Sequence, residues 1–152
     1  MNLKRSACGF SLLELVVAMG IGITMTAIAI PIVQSTINYM RMNAAVASAT
    51  GAISDTRYHA IMNGYPYAIA LNKANLTYQV LDQPGGAGPF VNVGNPVPIT
   101  GDSGFTMSAS TTLQLNPNGT VTATVGAMTF TLTYQGIVKT ITVSGVGRVQ
   151  VQ

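Results

Sequence analysis

Cysteine and charged residues are both scarce in this 152-residue sequence. The single cysteine, Cys8, excludes an internal disulfide framework and a cysteine-ligated metal site. Charged residues make up 7% of the chain, whereas soluble domains average about 25%. The chain is apolar near the N-terminus and rich in Thr, Asn, Gly and Ser beyond it. This composition favours a membrane-linked chain with one weakly charged domain that leans toward β structure.

The positive net charge does not by itself indicate a nucleic-acid-binding protein. The formal charge is +3, but Lys4 and Arg5 lie within the first nine residues. Without those nine residues, five basic residues face four acidic ones. A site for anions would therefore need a local cluster of basic residues.

One long apolar segment dominates the N-terminal part. Residues 10–33 read FSLLELVVAMGIGITMTAIAIPIV, 24 residues whose only charge is Glu14. As a helix the segment would extend roughly 36 Å, which is enough to span a bilayer. Lys4 and Arg5 precede it, and the next charge after it is Arg41. The positive-inside bias therefore predicts a cytoplasmic N-terminus and a periplasmic or extracellular head.

Two other readings of this segment stay open. A secretory signal peptide would use Lys4 and Arg5 as its basic region and Ala27–Ala29 as its cleavage site, so that the mature chain would begin at Ile30. Glu14 argues against it, because a charge within the hydrophobic region costs on the order of 3 kcal/mol on insertion. A plain single-pass anchor would hold Glu14 near the membrane interface and give it no function.

The N-terminal residues resemble the processing signal of type IV pilin-like proteins. That signal is a short basic leader ending in Gly, then Phe, then an apolar helix with Glu shortly after its start. Gly9, Phe10 and Glu14 match these three elements, and Pro31 falls where many pilins carry a helix-perturbing proline. The resemblance implies cleavage after Gly9 by a prepilin peptidase and N-methylation of Phe10.

The resemblance also implies a role for Glu14 in assembly. Its carboxylate would pair with the cationic Phe10 amine of a neighbouring subunit, because an unpaired charge is costly where the dielectric constant is low. Only one axial stagger of adjacent helices neutralises both charges, so Glu14 would set the register. The implied partners are the prepilin peptidase, other pilin or pseudopilin subunits and the bacterial inner membrane, from which the chain would enter a pilus or pseudopilus.

Beyond residue 33 the helix is predicted to continue as an amphipathic segment. Apolar residues recur at alternating intervals of four and three and form one stripe, which the small residues Gly51 and Ser54 continue. The stripe consists of Val33, Ile37, Met40, Ala44 and Ala47. The small residues predict either close packing against the head or a weak point in the helix.

Glycine and proline predict where this helix ends and where it is perturbed. Gly64 is a plausible cap and Pro66 follows it, so we expect the helix to end near Asn63. Pro31 and the glycines within residues 20–22 are poor helix-interior residues, which predicts local bending or melting over residues 20–31.

From Tyr67 onward the hydrophobic period changes to two, which is typical of strands. Within residues 128–134 the apolar side chains would face the core and the threonines solvent, and Gln135–Gly136 would turn the chain. Residues 83–104 are rich in Gly and Pro and predict a long loop or a ragged sheet edge. The predicted strands cover residues 67–72 and 76–82 (a hairpin), 112–116, 120–126, 128–134, 137–143 and 148–151.

The C-terminal run, residues 116–151, resembles the end of the H-type minor pseudopilin and FimT (GspH/FimT) domain. Gly147, Arg148 and Val149 match its closing pattern. Many major pilins carry a disulfide-bounded loop, which this chain cannot form, so a minor subunit is favoured.

The fold class implied by both resemblances is α+β: a long N-terminal transmembrane and amphipathic helix with an antiparallel, β-rich globular head, the pilin ladle. The chain would divide into a leader at residues 1–9, a membrane and assembly helix at 10–33, its amphipathic continuation at 34–63, and the head at 64–152.

No pattern in the sequence indicates catalysis. His59 follows Asp55 by four residues, which fits a solvated helix pair better than a Ser-His-Asp site. The glycines at residues 85–88 lack the Lys-Ser/Thr of a phosphate loop, and Asp82 and Asp102 lack calcium-ligand spacing. We therefore expect a structural protein without catalytic residues, metal or cofactor.

DNA binding is the alternative function, because FimT-like minor pilins of some bacteria contribute to DNA uptake through basic residues near the C-terminus. Lys139 and Arg148 are the candidates for DNA contact. DNA-binding members tend to carry a second arginine two residues after the first, where this chain has Gln150. Because affinity for DNA depends on the number of phosphate contacts, protection of a strand edge by Arg148 is favoured.

The sequence leaves two questions about the assembly open. The partner of the head could be a secretion substrate, and the filament could belong to a type IV pilus or to a type II secretion system.

Overall fold

The computed structural model describes residues 11–152, which form one long helix followed by antiparallel sheets. The described chain divides into two compact units at Ile37 and Asn38. Helix α1 covers Leu12–Asn63. The strands are β1 (Tyr67–Asn72), β2 (Thr77–Asp82), β3 (Val91–Pro98), β4 (Phe105–Met107), β5 (Thr111–Leu115), β6 (Val121–Val125), β7 (Thr129–Tyr134), β8 (Ile137–Val143) and β9 (Val149–Val151).

The helix runs through Gly20, Gly22 and Pro31 without interruption. The predicted melting over residues 20–31 is therefore wrong for this structure. Proline removes one backbone donor and crowds the preceding turn, whereas unwinding a whole turn would leave several backbone groups without partners. A bend at Pro31 stays a prediction.

The helix ends at Asn63, where the sequence predicts its end. Gly64 has a positive φ of 73°, and its N–H donates a hydrogen bond to the Ala60 carbonyl oxygen at 3.1 Å. Glycine reaches this left-handed conformation without steric cost, which is the usual way to cap a helix C-terminus.

The second half of the helix buries a different face from the predicted one. The predicted stripe is exposed: Ile37 is 42% and Met40 66% exposed, and Gly51 and Ser54 are also at the surface. Residues two apart on a helix point about 200° away from each other, so the buried face lies nearly opposite the predicted one. Both faces carry apolar residues with the same period, and the period alone does not fix the phase. The buried face consists of Met42, Ala45, Val46, Ala49, Ile53, Thr56 and Ala60.

The strands form two antiparallel sheets that share one core with this half of the helix. The strand order is β3-β2-β1-β5-β6 in the first sheet and β4-β7-β8-β9 in the second. The core brings together side chains from the helix and from both sheets, each at most 1% exposed, among them Ile53, Ile69, Leu113, Phe130 and Ile141.

The predicted strands are present, and no end differs from its predicted position by more than one residue. In β7 the alternation holds, because Phe130, Leu132 and Tyr134 are buried and the threonines between them are not. Gln135 and Gly136 both have positive φ, 48° and 80°, which is the geometry of a tight hairpin turn.

Residues 83–104 are not one long loop. They contain a short 3-10 turn at Pro84–Gly86 and the strand β3, which is exposed throughout and lies at the edge of its sheet. Pro96 and Pro98 fit an edge strand, because proline cannot donate to a neighbouring strand. The ragged-edge interpretation is therefore correct and the loop interpretation wrong. Strand β4 was not predicted, since three residues are too few to show alternation.

Candidate functional site

The first unit of the chain exposes an unusually apolar surface. Large hydrophobic side chains of Leu, Ile, Val and Met line the helix from Leu12 to Val33, and thirteen of them are more than half exposed. Covering such a side chain is worth about 1.5–3 kcal/mol. The helix is long and apolar enough to cross a membrane. An exposed apolar surface of this extent is suited to lipid or to other helices.

Side-chain hydroxyl groups in and just after this segment donate hydrogen bonds to backbone carbonyl oxygens of the same helix. Thr24 donates to the Ile21 carbonyl oxygen at 2.8 Å, and Thr26 donates to that of Gly22. Ser35 and Thr36 both donate to the Ile32 carbonyl oxygen at 2.9 Å. Because lipid offers no hydrogen-bond partners, these internal bonds make the polar residues compatible with a membrane.

Glu14 lies in the first turn of the helix and is exposed. A carboxylate there interacts favourably with the helix dipole by about 0.3–1 kcal/mol. Ser11 and Glu14 also have the spacing of a capping box, which is visible in the sequence alone. A local role of Glu14 at the start of its own helix is therefore the alternative to an intermolecular role. Gly9 and Phe10 lie outside the described residues, and the pairing of Glu14 with Phe10 stays a prediction.

Lys139 and Arg148 do not share a face of the second sheet. Lys139 lies two residues before the buried Ile141 in β8, so both point to the core side. Val149 in β9 pairs with Val143, which has the same orientation as Ile141. Arg148 directly precedes β9 and is exposed, and strand alternation from Val149 directs it away from the core side. A single cation per face offers few phosphate contacts, and DNA contact at either residue stays a prediction.

Arg57 binds the turn formed by residues 144–148, which contains Arg148 and which we call the Arg148 turn. Its Nε donates to the Gly119 carbonyl oxygen and its Nη2 to that of Val146, both at 3.1 Å. Gly147 has φ +76°, and a Cβ there would collide with the Arg57 side chain. The role of Arg57 could not be predicted from the sequence, because these contacts join residues 62 and 89 positions apart.

Arg41 makes a second contact between the helix and the sheets. Its Nη1 donates to the Tyr134 hydroxyl at 3.0 Å and lies 3.7 Å from the Asp102 carboxylate. The Tyr134 ring in turn stacks on Phe105 at a centroid distance of 4.1 Å. The hydrogen bond to Tyr134 and, second, the charge of Asp102 raise the pKa of the Arg41 guanidinium. The guanidinium of arginine is always charged in proteins, and these contacts of Arg41 link the helix to the head.

Asp55 and His59 form the solvated helix pair that their spacing predicts. Their nearest side-chain atoms are 3.6 Å apart, and the two side chains are 73% and 50% exposed. They border a surface groove of about 240 Å³, which we call the Asp55 groove. It is lined by Asp55, Thr56, His59, Tyr67, Val80 and Val93.

The Asp55 groove does not have the arrangement of a hydrolytic site. Its hydroxyl residue next to the helix pair, Thr56, donates to the Ala52 carbonyl oxygen at 2.6 Å and is buried. A nucleophile needs a base within hydrogen-bond reach, and Thr56 is bonded to the backbone instead. Among residues 11–152 no group of three or more His, Cys, Asp or Glu side chains is placed to hold a metal ion.

A long apolar N-terminal helix followed by antiparallel β-sheets is the fold of type IV pilins, and the described chain has this fold. The structure is similar to the crystal structure of the type IV minor pilin FimU from Pseudomonas aeruginosa strain PAO1. The TM-score is 0.53 and the sequence identity 17%, and the match covers 77% of this chain and 91% of that chain. No family model matches the sequence, and no curated protein matches it.

Proposed function

We propose that the chain is a minor pilin or pseudopilin, a structural subunit that enters a type IV pilus or a type II secretion pseudopilus through its N-terminal helix. The observation that carries the proposal is the exposed apolar helix from Leu12 to Val33. Lipid would cover this surface before assembly and the helices of other subunits afterwards. The function is mechanical, and the pilin fold, in general a structural one, supports a non-catalytic role.

Processing and topology belong to the same proposal. Prepilin peptidase cleaves after Gly9, Phe10 becomes the N-methylated first residue, and the head lies in the periplasm. The basic residues Lys4 and Arg5 before the apolar segment support this orientation. The closing pattern around Arg148 supports a subunit of the GspH/FimT type.

In the assembled filament Glu14 pairs with the Phe10 amine of a neighbouring subunit. The support is that Glu14 is the only charged residue from Leu12 to Val33. A charge brought among packed apolar helices needs a partner of opposite sign. The pairing would allow one stagger between adjacent helices, which gives assembly its register.

The mature N-terminus tests the proposal. We expect mass spectrometry of the protein isolated from membranes to show a chain that begins at Phe10 with one added methyl group. A chain that begins at Ile30 would instead indicate secretion of a soluble head with an ordinary signal peptide. A chain that keeps its first nine residues would contradict processing by prepilin peptidase.

A further inference from the structure

The second half of helix α1 has an exposed face, opposite to its buried one, that is also made of apolar and small residues. We call this face the outer stripe, and it consists of Met40, Ala44, Ala47, Gly51, Ser54, Tyr58 and Ile61. Every member is exposed, and the large side chains are exposed by 66% at Met40, 58% at Tyr58 and 46% at Ile61. A helix that is apolar on opposite sides is typical of one that is covered on both.

The spacing of the outer stripe is that of a contact between two helices. From Met40 to Ile61 its members alternate at intervals of four and three residues over three heptads. Ile37 and Val33 continue the same spacing back into the apolar segment. Apolar residues with this period of 3.5 are characteristic of a helix that packs along a second helix. The outer stripe therefore continues, along the sequence, the apolar surface of residues 12–33.

The outer stripe has small residues in its middle and large residues at its ends. Its four members between residues 44 and 54 are alanine, glycine or serine, whereas Met40 precedes them and Tyr58 and Ile61 follow. A Cβ added at Gly51 would meet nothing within 4 Å. Small side chains allow two helix backbones to approach closely, and the large residues at both ends add apolar contact area. This shape suits one straight helix laid along the stripe.

Lipid and DNA are both unsuitable covers for the outer stripe. Residues 12–33 form about 33 Å of helix, which already matches the thickness of the hydrocarbon core. Ile61 follows Asn38, where the second unit begins, by 23 residues or roughly 35 Å along the helix. The stripe has no charged member, whereas affinity for DNA depends on cations that contact phosphates. A protein surface that is apolar and uncharged matches the stripe.

The apolar N-terminal helix of a pilin-type subunit has the length and the charge that this surface calls for. In this chain residues 12–33 and residues 40–61 are both 22 residues long, and residues 15–33 carry no charge. Subunits that leave the same membrane run parallel to one another. In parallel helices, the segment equivalent to residues 12–33 lies beside residues 40–61 when its chain is shifted by 28 residues, or roughly 42 Å.

We propose that the outer stripe receives the apolar N-terminal helix of a different pilin-type subunit, which lies roughly 42 Å further from the membrane. The proposal rests on the filament function, because only assembly moves such a helix out of the lipid. As a minor subunit, the chain has other subunits as its neighbours. The chain therefore does not form the outer end of the filament, and at least one other subunit is assembled before it.

Photocrosslinking of the full-length chain in filaments tests the partner. A p-benzoyl-phenylalanine probe in place of Tyr58 keeps an aromatic ring on the outer stripe. The same probe in place of Val138 is the control, because Val138 in β8 is 55% exposed and lies on the outer face of the second sheet. We expect the Tyr58 probe to become linked to the apolar N-terminal segment of another pilin-type subunit, identified by mass spectrometry of the linked peptides. The Val138 probe should not become linked to that segment.

A larger side chain in the middle of the outer stripe tests the close approach of the two helices. In the chain that carries the Tyr58 probe, Ala47→Leu should lower both the yield of linked product and the incorporated amount at least about fivefold, because the added side chain separates the backbones. Thr122→Leu adds the same side chain at an exposed position of β6 and should change neither quantity. The amount of protein in the membrane should be the same for both variants.

The identity of the linked residues decides between the possible covers. Links from the Tyr58 probe to lipid alone, to a second copy of this chain, or to the head of another subunit would overturn the proposed helix contact. Equal linkage of the Tyr58 and Val138 probes to the same segment would overturn it as well. Equal losses with Ala47→Leu and Thr122→Leu, or no loss with Ala47→Leu, would contradict the close approach.

Incorporation of the chain without a probe is scored separately, by immunodetection in sheared fibres. Incorporated protein whose Tyr58 probe finds no N-terminal segment of another subunit would overturn the helix contact and support the filament function. A link found only in protein that is absent from fibres would contradict the filament function and overturn the placement of the partner outside the membrane. The absence of both incorporation and linkage would contradict both proposals.

Discussion

At the scale of single residues, Arg57 and Gly147 show how the C-terminal turn is fixed to the helix. Arg57 satisfies two carbonyl oxygens of separate turns, and Gly147 leaves room for its guanidinium. Gly147 also has a positive φ, which any other residue adopts only with strain. The Arg148 side chain therefore projects from a turn whose backbone is held from within the head.

Gly147→Ala is expected to destabilise the head more than Gly136→Ala. Both positions have positive φ, but an added Cβ at Gly136 meets nothing within 4 Å, whereas at Gly147 it collides with Arg57. We expect a loss of about 1 kcal/mol at Gly136 and about 2–3 kcal/mol at Gly147. Thermal or urea unfolding of the full-length chain in detergent measures the difference.

Removal of Arg57 provides the control for this pair. In an Arg57→Ala background the collision is gone, so Gly147→Ala should cost no more than Gly136→Ala. If Gly147→Ala remains the more damaging substitution in that background, the collision with Arg57 is not the cause.

At the scale of elements, the end of helix α1 is determined by its local sequence, whereas the buried face of its second half is determined by packing against the sheets. The end of the helix at Asn63 is local information, because Gly64 and Pro66 act on the adjacent backbone. The buried face is not local. Alanine and methionine occur on both sides of the helix, and the sheets determine which side they cover. The same holds for β3, whose pairing with β2 overrides its Gly and Pro content.

A matched pair of alanines tests the observed phase of the helix. Ala49 is fully buried in the core, and Ala47 is exposed on the predicted stripe. We expect Ala49→Leu to destabilise the head by about 1–3 kcal/mol, because it overpacks a close-packed interior. Ala47→Leu should change stability by less than about 0.5 kcal/mol. Unfolding measurements in detergent would contradict the observed phase if Ala47→Leu were the more damaging change.

At the scale of the whole molecule, the chain has an uncovered apolar surface on its helix and a groove in its head. The helix from Leu12 to Val33 exposes apolar side chains that suit lipid or other helices, and the lining of the Asp55 groove contains one carboxylate. The fold class was predictable, since an apolar helix and period-two strands are strong patterns. The groove was not, because its residues come from the helix, β1, β2 and β3, and only folding brings them together.

Assembly of the whole molecule depends, in this account, on the charge of Glu14. Glutamine is the informative replacement, because it can also serve at the capping-box position after Ser11 and removes only the charge. Glu14→Ala removes both. Neither change should impair membrane insertion, since loss of a charge makes the apolar segment easier to insert.

The most direct measurement is therefore the amount of Glu14→Gln protein incorporated into filaments, relative to its amount in the inner membrane. We predict normal membrane levels, cleavage after Gly9, and incorporation reduced at least about tenfold, for Glu14→Gln as for Glu14→Ala. Normal incorporation of Glu14→Gln together with failure of Glu14→Ala would show that Glu14 only caps its own helix. Normal incorporation of both would contradict a role for Glu14 in assembly.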